Sequence, residues 1–125
     1  MQSATSIELA AAFRRMVGND GVLDSHGEML VYECDGFTIE KNSPDVVVFP
    51  RTTDHVRQIV ELCNRSGVPF LPRGAGTSLA GGCLPVGGGV MIAMARMREI
   101  VEINLRDRYA VVQPGVVNIK LTQAL

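Results

Sequence analysis

The sequence predicts an α/β fold grading into α+β: a small, mainly parallel sheet flanked by helices. Three patterns predict it. Val46-Val47-Val48-Phe49 is a β-branched run of strand length, apolar on successive positions, as in a parallel strand buried on both faces. Val56, Ile59, Val60 and Cys63 follow at helical spacing, so one side of a helix faces a core. Residues 68–71 and 90–94 are further short apolar runs, and strand, helix and strand with tight connections make a βαβ unit.

In chain order, residues 4–17 read as a helix. Ile7, Leu9, Ala10, Phe13 and Met16 mark its apolar side, and Arg14 and Arg15 sit near its C-terminal end, where the dipole favours cations. Gly18, Asn19, Asp20 and Gly21 stop it. Residues 22–45 have little period and read as loop, with a short ordered stretch around 29–34. Pro44 and Pro50 bracket the first parallel strand. Thr52 or Thr53 caps the next helix, with Asp54 in its first turn, and Gly67 followed by Pro69 closes it. Residues 90–94 form a third strand, in which Met91 and Met94, with Met97 just beyond, read as core fillers. Residues 97–103 continue as extended or turn structure, and 109–113 form a further strand ended by Pro114-Gly115. A last helix starts at Val116, with Ile119, Leu121 and Leu125 apolar. It carries no stop signal, so the chain reads as a piece of a longer protein. The expected division is an N-terminal helix and extended segment, 1–43, and the first part of a larger domain, 44–125.

Charge and composition narrow the function. Twelve Lys+Arg against 13 Asp+Glu give a net charge of −1, which argues against nucleic acid as a partner. A 46% hydrophobic, 20% charged chain is globular. No apolar stretch approaches the roughly 20 residues that span a bilayer, and no basic segment precedes an apolar run at the N-terminus as in a secretory signal. Cys34, Cys63 and Cys83 show no CxxC spacing, and His26 and His55 stand apart, so no metal site is expected. Reduced thiols and a cytoplasmic location are the expectation. Cys83, beside the glycine loop, reads as exposed and oxidisable. His55 reads as a solvent neighbour. Arg96, Arg98, Arg106 and Arg108, interleaved with Glu99, Glu102 and Asp107, read as a solvated mixed surface.

The informative feature is residues 72–82, Pro72-Arg73-Gly74-Ala75-Gly76-Thr77-Ser78-Leu79-Ala80-Gly81-Gly82. Glycines remove the side chains that keep a ligand away, and successive main-chain N–H groups can converge on an anion. Thr77 and Ser78 add hydroxyl donors. A diphosphate suits such a loop, since amides satisfy it without lysine. The G-x-G-x-x-G dinucleotide fingerprint fails, because Leu79 stands where its third glycine belongs and no helix follows. The P-loop pattern fails for want of a lysine. Arg73 either steadies a phosphate or pairs with a nearby acid.

The order of features resembles a known family. Pro44-x-x-Val47-Val48 with Pro50 comes first, then Val68-Pro69-x-x-Pro72-Arg73-Gly74-x-Gly76-Thr77-Ser78, then Val112-Gln113-Pro114-Gly115-Val116. With Tyr32-Glu33-Cys34-Asp35-Gly36, Leu79-x-Gly81-Gly82 and Met94-Ala95-Arg96, the chain resembles the FAD-binding N-terminal part of the glycolate oxidase FAD subunit and D-lactate dehydrogenase family. That family lies within the vanillyl-alcohol oxidase and p-cresol methylhydroxylase (PCMH) superfamily. The resemblance implies the first lobe of a PCMH-type FAD-binding domain. It implies that Arg73, Gly74, Ala75, Gly76, Thr77 and Ser78 wrap the FAD diphosphate, that Gly81 and Gly82 line the same cavity, and that Pro114 and Gly115 approach the flavin. With no histidine in the loop, FAD is expected to bind non-covalently. In the family a 2-hydroxy acid passes its α-hydrogen to the flavin as hydride and becomes a 2-keto acid, so such an acid is the implied substrate of a longer protein. An iron–sulfur subunit is the implied partner. No catalytic residue is expected in this stretch. The Tyr32–Gly36 match disfavours two relatives sharing the flavin lobe, the reductase of cell-wall precursor synthesis and the alkylglycerone-phosphate synthase type. The alternative from another class is a non-catalytic, truncated flavin fold that dimerises to cover its apolar surface.

Overall fold

The computed structural model describes residues 4–36 and 38–125. Helix α1, Ala4–Val17, buries Leu9, Ala10, Phe13 and Val17, whereas Ile7 lies off the buried stripe and is exposed. After a single 3₁₀ turn the chain forms β1, Val22–Leu23, and a short helix α2, His26–Met29, continued by another 3₁₀ turn at Leu30–Tyr32. The expected loop at 22–45 therefore holds more structure than its period suggests. Strand β2 is Val46–Val48, and α3 is Thr53–Ser66. At the start of α3 the Thr52 hydroxyl accepts the His55 N–H at 3.1 Å. At its end Gly67 takes the left-handed conformation, φ 63°, and the Val68 N–H returns to the Cys63 carbonyl at 3.0 Å. His55 is half-buried, its Nδ1 accepting the Arg51 N–H at 3.3 Å, not the solvent-facing side chain expected.

Strands β3, Phe70–Arg73, and β4, Val90–Ala93, complete a sheet of order β1-β2-β4-β3. Both β2 and β3 run parallel to β4, with Val47 opposite Met91 and Pro72 opposite Ile92, while β1 is antiparallel to β2. The two strands that flank α3 in sequence are thus not neighbours, for β4 lies between them. The reason is burial. All four residues of β4 are buried, which suits a central strand, whereas β3 is partly exposed and carries Pro72. Proline lacks the N–H that a central ladder needs and is tolerated at an edge.

The sheet has two covered faces. Val46, Val48, Val90 and Ile92 face α1 and α3 through Phe13, Ile59 and Cys63. Val47, Phe49, Met91 and Ala93 face the opposite way, toward Met29 and Tyr32. Met91 and Met97 are buried and Met94 packs on the first face, as core fillers should. Full burial contributes roughly 1.5–3 kcal/mol for each large apolar side chain.

Burial also raises the Cys63 thiol from its usual value to about 11. The neutral thiol is the form the fold favours, so its contribution is complete below pH 9.0 and is lost as pH rises through 11. In urea titrations at rising alkaline pH, the unaltered chain should lose stability over that window more steeply than Cys63→Ala. Equal slopes would show that the thiol ionises at the same pH folded and unfolded, so that burial does not raise it.

Beyond β4 a 3₁₀ turn, Met94–Arg96, leads to an antiparallel hairpin of β5, Ile100–Asn104, and β6, Tyr109–Val112, and then to helix α4, Asn118–Ala124. Arg96 is not part of a solvated surface. Its guanidinium lies over the Phe49 ring at 5.3 Å and pairs with Asp20 at 3.0 Å, which ties the end of β4 to the loop after α1. No helix among the described residues is long and apolar enough to cross a membrane.

Candidate functional site

In open α/β sheets ligands bind beyond the carboxyl ends of the parallel strands. Three segments leave those ends here: Phe49-Pro50-Arg51 after β2, residues 74–89 after β3, and residues 94–97 after β4. The connection from β3 to β4 joins parallel neighbours, a step usually made by a helix. Here the glycine-rich segment makes it.

Arg73 ends β3 opposite Ala93, so its side chain points into the second core. It is buried, 7% exposed. Its Nη1 donates to the Cys34 carbonyl at 2.9 Å and the Tyr32 carbonyl at 3.5 Å, and it lies 3.5 Å from the Cys83 sulfur. The guanidinium sits 5.5 Å from the Tyr32 ring centroid. Among the described residues it forms no ion pair with a carboxylate. The nearby acid expected for Arg73 is not what it meets among the described residues: it grips main-chain carbonyls. Cys83, expected at the surface, is buried against it.

The loop turns over this arginine. Gly76 has φ +70°, and a Cβ there would fall inside the Arg73 guanidinium. Gly74 and Gly82 face open space. Among the described residues, no main-chain N–H of residues 74–79 donates a hydrogen bond within the protein. The Ser78 hydroxyl accepts the Ala80 N–H at 3.3 Å, closing the turn and leaving its own proton to donate. The Thr77 side chain is exposed. The Gly81 N–H is engaged, by the Asp35 carboxylate at 2.9 Å.

Pro114 and Gly115 reach the same end of the sheet by another route. The Gly115 N–H donates to the Met97 carbonyl at 2.8 Å, and its Cα lies on the turn that follows β4. The sequence-predicted residues therefore gather at the ends of the adjacent strands β3 and β4, except that Arg73 turns inward. Asp35 was not among them. It is 5% exposed, and Asp35-Gly36 in sequence is indistinguishable from a turn. A cleft of about 360 Å³, lined by Leu105, Tyr109, Leu121 and Leu125 among others, shares no residue with the glycine loop.

Comparison with known proteins places this geometry. The family model described as FAD binding domain matches residues 44–125. Glycolate oxidase subunit GlcD of Escherichia coli strain K12 is 43% identical over 114 residues, covering 91% of this chain and 23% of that protein. A probable mitochondrial D-lactate dehydrogenase of Danio rerio is 30% identical over 131 residues, covering 99% and 25%. The structure of p-cresol methylhydroxylase with substrate bound superposes with a TM-score of 0.87 at 24% identity, over 98% of this chain and 25% of that one, and shows the fold. The chain spans about a quarter of the length of these relatives. The chain thus shares that fold and belongs to the FAD binding domain family, with FAD as its cofactor.

Proposed function

We propose that the chain is the diphosphate-holding part of the FAD site of a 2-hydroxy-acid dehydrogenase or oxidase of the glycolate or D-lactate type. The observation that carries this is the row of unengaged main-chain N–H groups at residues 74–79, at the carboxyl end of β3. Amide donors on a loop with few side chains suit the doubly charged diphosphate. Gly74, Ala75, Gly76, Thr77 and Ser78 would hold it, with Gly81 and Gly82 lining the same face and Pro114 and Gly115 on the flavin side. Arg73 contributes charge and position from below. Bound FAD supplies the two-electron acceptor. Residues 74–82 contain no histidine, which supports binding without a covalent bond to the loop. The hydroxy-acid class comes from the relatives' names, glycolate oxidase and D-lactate dehydrogenase. Within the chain, residues 44–125 carry the cofactor loop and 1–43 brace it. The three free cysteines accord with a cytoplasmic setting.

The test is a FAD titration followed by flavin absorbance and fluorescence. The expected result is a yellow 1:1 complex of weak affinity, with no oxidation of glycolate or D-lactate, because no base or nucleophile stands in the described site. A second reading, a dimerising interaction domain, is favoured by the exposed Val101, Leu105, Ile119 and Leu125 on the hairpin and α4. Colourless protein that self-associates would support that reading instead, and measurable hydroxy-acid oxidation by this chain would overturn the assignment of the chemistry elsewhere.

A further inference from the structure

We infer that Asp35 and Arg73 form a latch that sets the shape of the glycine loop before FAD arrives. Both are positioning residues, and the inference rests on reading residues 74–82 as the FAD site. Asp35 lies outside the stretch matched by the family model. The latch is built in two steps. Arg73 first fixes the segment 32–34, by its hydrogen bonds to the Tyr32 and Cys34 carbonyls and its stacking on the Tyr32 ring. Asp35, next in the chain, then reaches the loop and accepts the Gly81 N–H at 2.9 Å. Gly36 closes the contact: a Cβ there would stand 2.9 Å from the Thr77 carbonyl oxygen and 3.0 Å from that of Ser78, so the two backbones touch.

The loop is thereby held at both ends. Gly76 rests on the guanidinium at one end and Gly81 hangs from the carboxylate at the other. Between them, the N–H groups of residues 77–79 donate no hydrogen bond within the protein among the described residues. A segment with this many glycines loses more conformational entropy on ordering than any other kind of chain. If the latch orders it in advance, that loss falls on folding. Without the latch it falls on binding and weakens affinity. For the Asp35 variants the expected signature is therefore a change in FAD affinity with little change in the stability of the sheet, since Asp35 belongs to neither apolar core.

Three variants test this: Asp35→Ala removes the acceptor, Asp35→Asn keeps an oxygen in place, and Arg73→Lys keeps the charge but loses the fork. FAD affinity is measured by fluorescence titration, and protection of the Gly81 N–H by hydrogen exchange without ligand. Asp35→Ala should lose Gly81 protection and bind FAD about tenfold more weakly, the scale of a charge-assisted hydrogen bond. Asp35→Asn should restore most of both, and Arg73→Lys should resemble Asp35→Ala. Lost protection with unchanged affinity in Asp35→Ala would overturn the latch and leave the FAD site standing. Full affinity in Arg73→Lys would overturn it as well, reducing Arg73 to a charge. No FAD binding by the unaltered chain would instead overturn the reading of the loop itself, and the latch with it.

Discussion

Gly76→Val should lower FAD affinity by about a hundredfold or more, which corresponds to roughly 2.7 kcal/mol. Two independent effects combine. Gly76 sits at φ +70°, a region that a β-branched residue adopts only with strain of about 1–3 kcal/mol. Its Cβ would also enter the space of the Arg73 guanidinium, standing 2.7 Å from Nε and closer still to Cζ and Nη2. The guanidinium has no easy retreat, because it is buried and held by two carbonyls and an aromatic ring. The loop must therefore lift, and the N–H groups of residues 74–79 lift with it. Gly76→Ala should show most of the same loss, since it shares both the positive φ and the clash. Gly27→Ala, on α2 and outside the loop, is the control. Nothing stands within 4 Å of its added Cβ, so its affinity should stay within about threefold of the unaltered chain. Fluorescence titration of the three variants decides the matter, and unchanged affinity in Gly76→Val would remove the loop from the cofactor site.

This contrast between glycines bears on what the sequence could disclose. Strand β2 and helix α3 were legible because their signals are local: Val46, Val47 and Val48 are consecutive, and Thr52 and Gly67 cap a helix from within a few residues of its ends. The glycine loop stands out in the sequence for the same reason, its glycines lying within a few residues of one another. The central place of β4 was not, because strand order depends on which run is wholly buried and period alone does not rank two short apolar runs. Pro72 was the available clue, marking β3 as an edge. The inward turn of Arg73 and the part played by Asp35 were also hidden. Asp35 and Gly81 are 46 residues apart in sequence and Arg73 and Cys34 are 39 apart. Such contacts exist only once the sheet brings the segments together, so no local pattern records them. Arg96 shows the same limit. Its interleaving with acids suggested solvent, but the end of β4 places it on Phe49 and Asp20.

At Gly115 the expected loss is of stability as well as binding. Its φ is not positive, so strain plays no part and crowding alone decides. A Cβ there would fall on the carbonyl oxygen of Met94 and stand 2.7 Å from that of Met97. Both obstacles are backbone, fixed by the 3₁₀ turn after β4, and neither can swing away as a side chain would. The strand β6 returns to the sheet through this point, by the Gly115 N–H to the Met97 carbonyl at 2.8 Å and the Gln113 N–H to the Glu99 carbonyl at 2.9 Å. Gly115→Val should break the first of these and push the hairpin outward, at a cost of roughly 3 kcal/mol or more, the range of severe overpacking. For a chain of this size that lowers the melting temperature by about 10 °C. Gly115→Ala should lose nearly as much, because the first carbon already makes the clash. An alanine variant melting within about 2 °C of the unaltered chain would show that the close approach is not rigid. FAD affinity should fall in the same variants, since the turn that carries Pro114 moves away from the end of β4. The two glycines then separate by signature: Gly76→Val weakens FAD binding with the smaller loss in melting temperature, its strain falling on a loop that can lift, whereas Gly115→Val lowers both strongly. Parallel losses at both positions would mean instead that the loop and the hairpin are one cooperative unit, with the cofactor site no softer than the core beneath it.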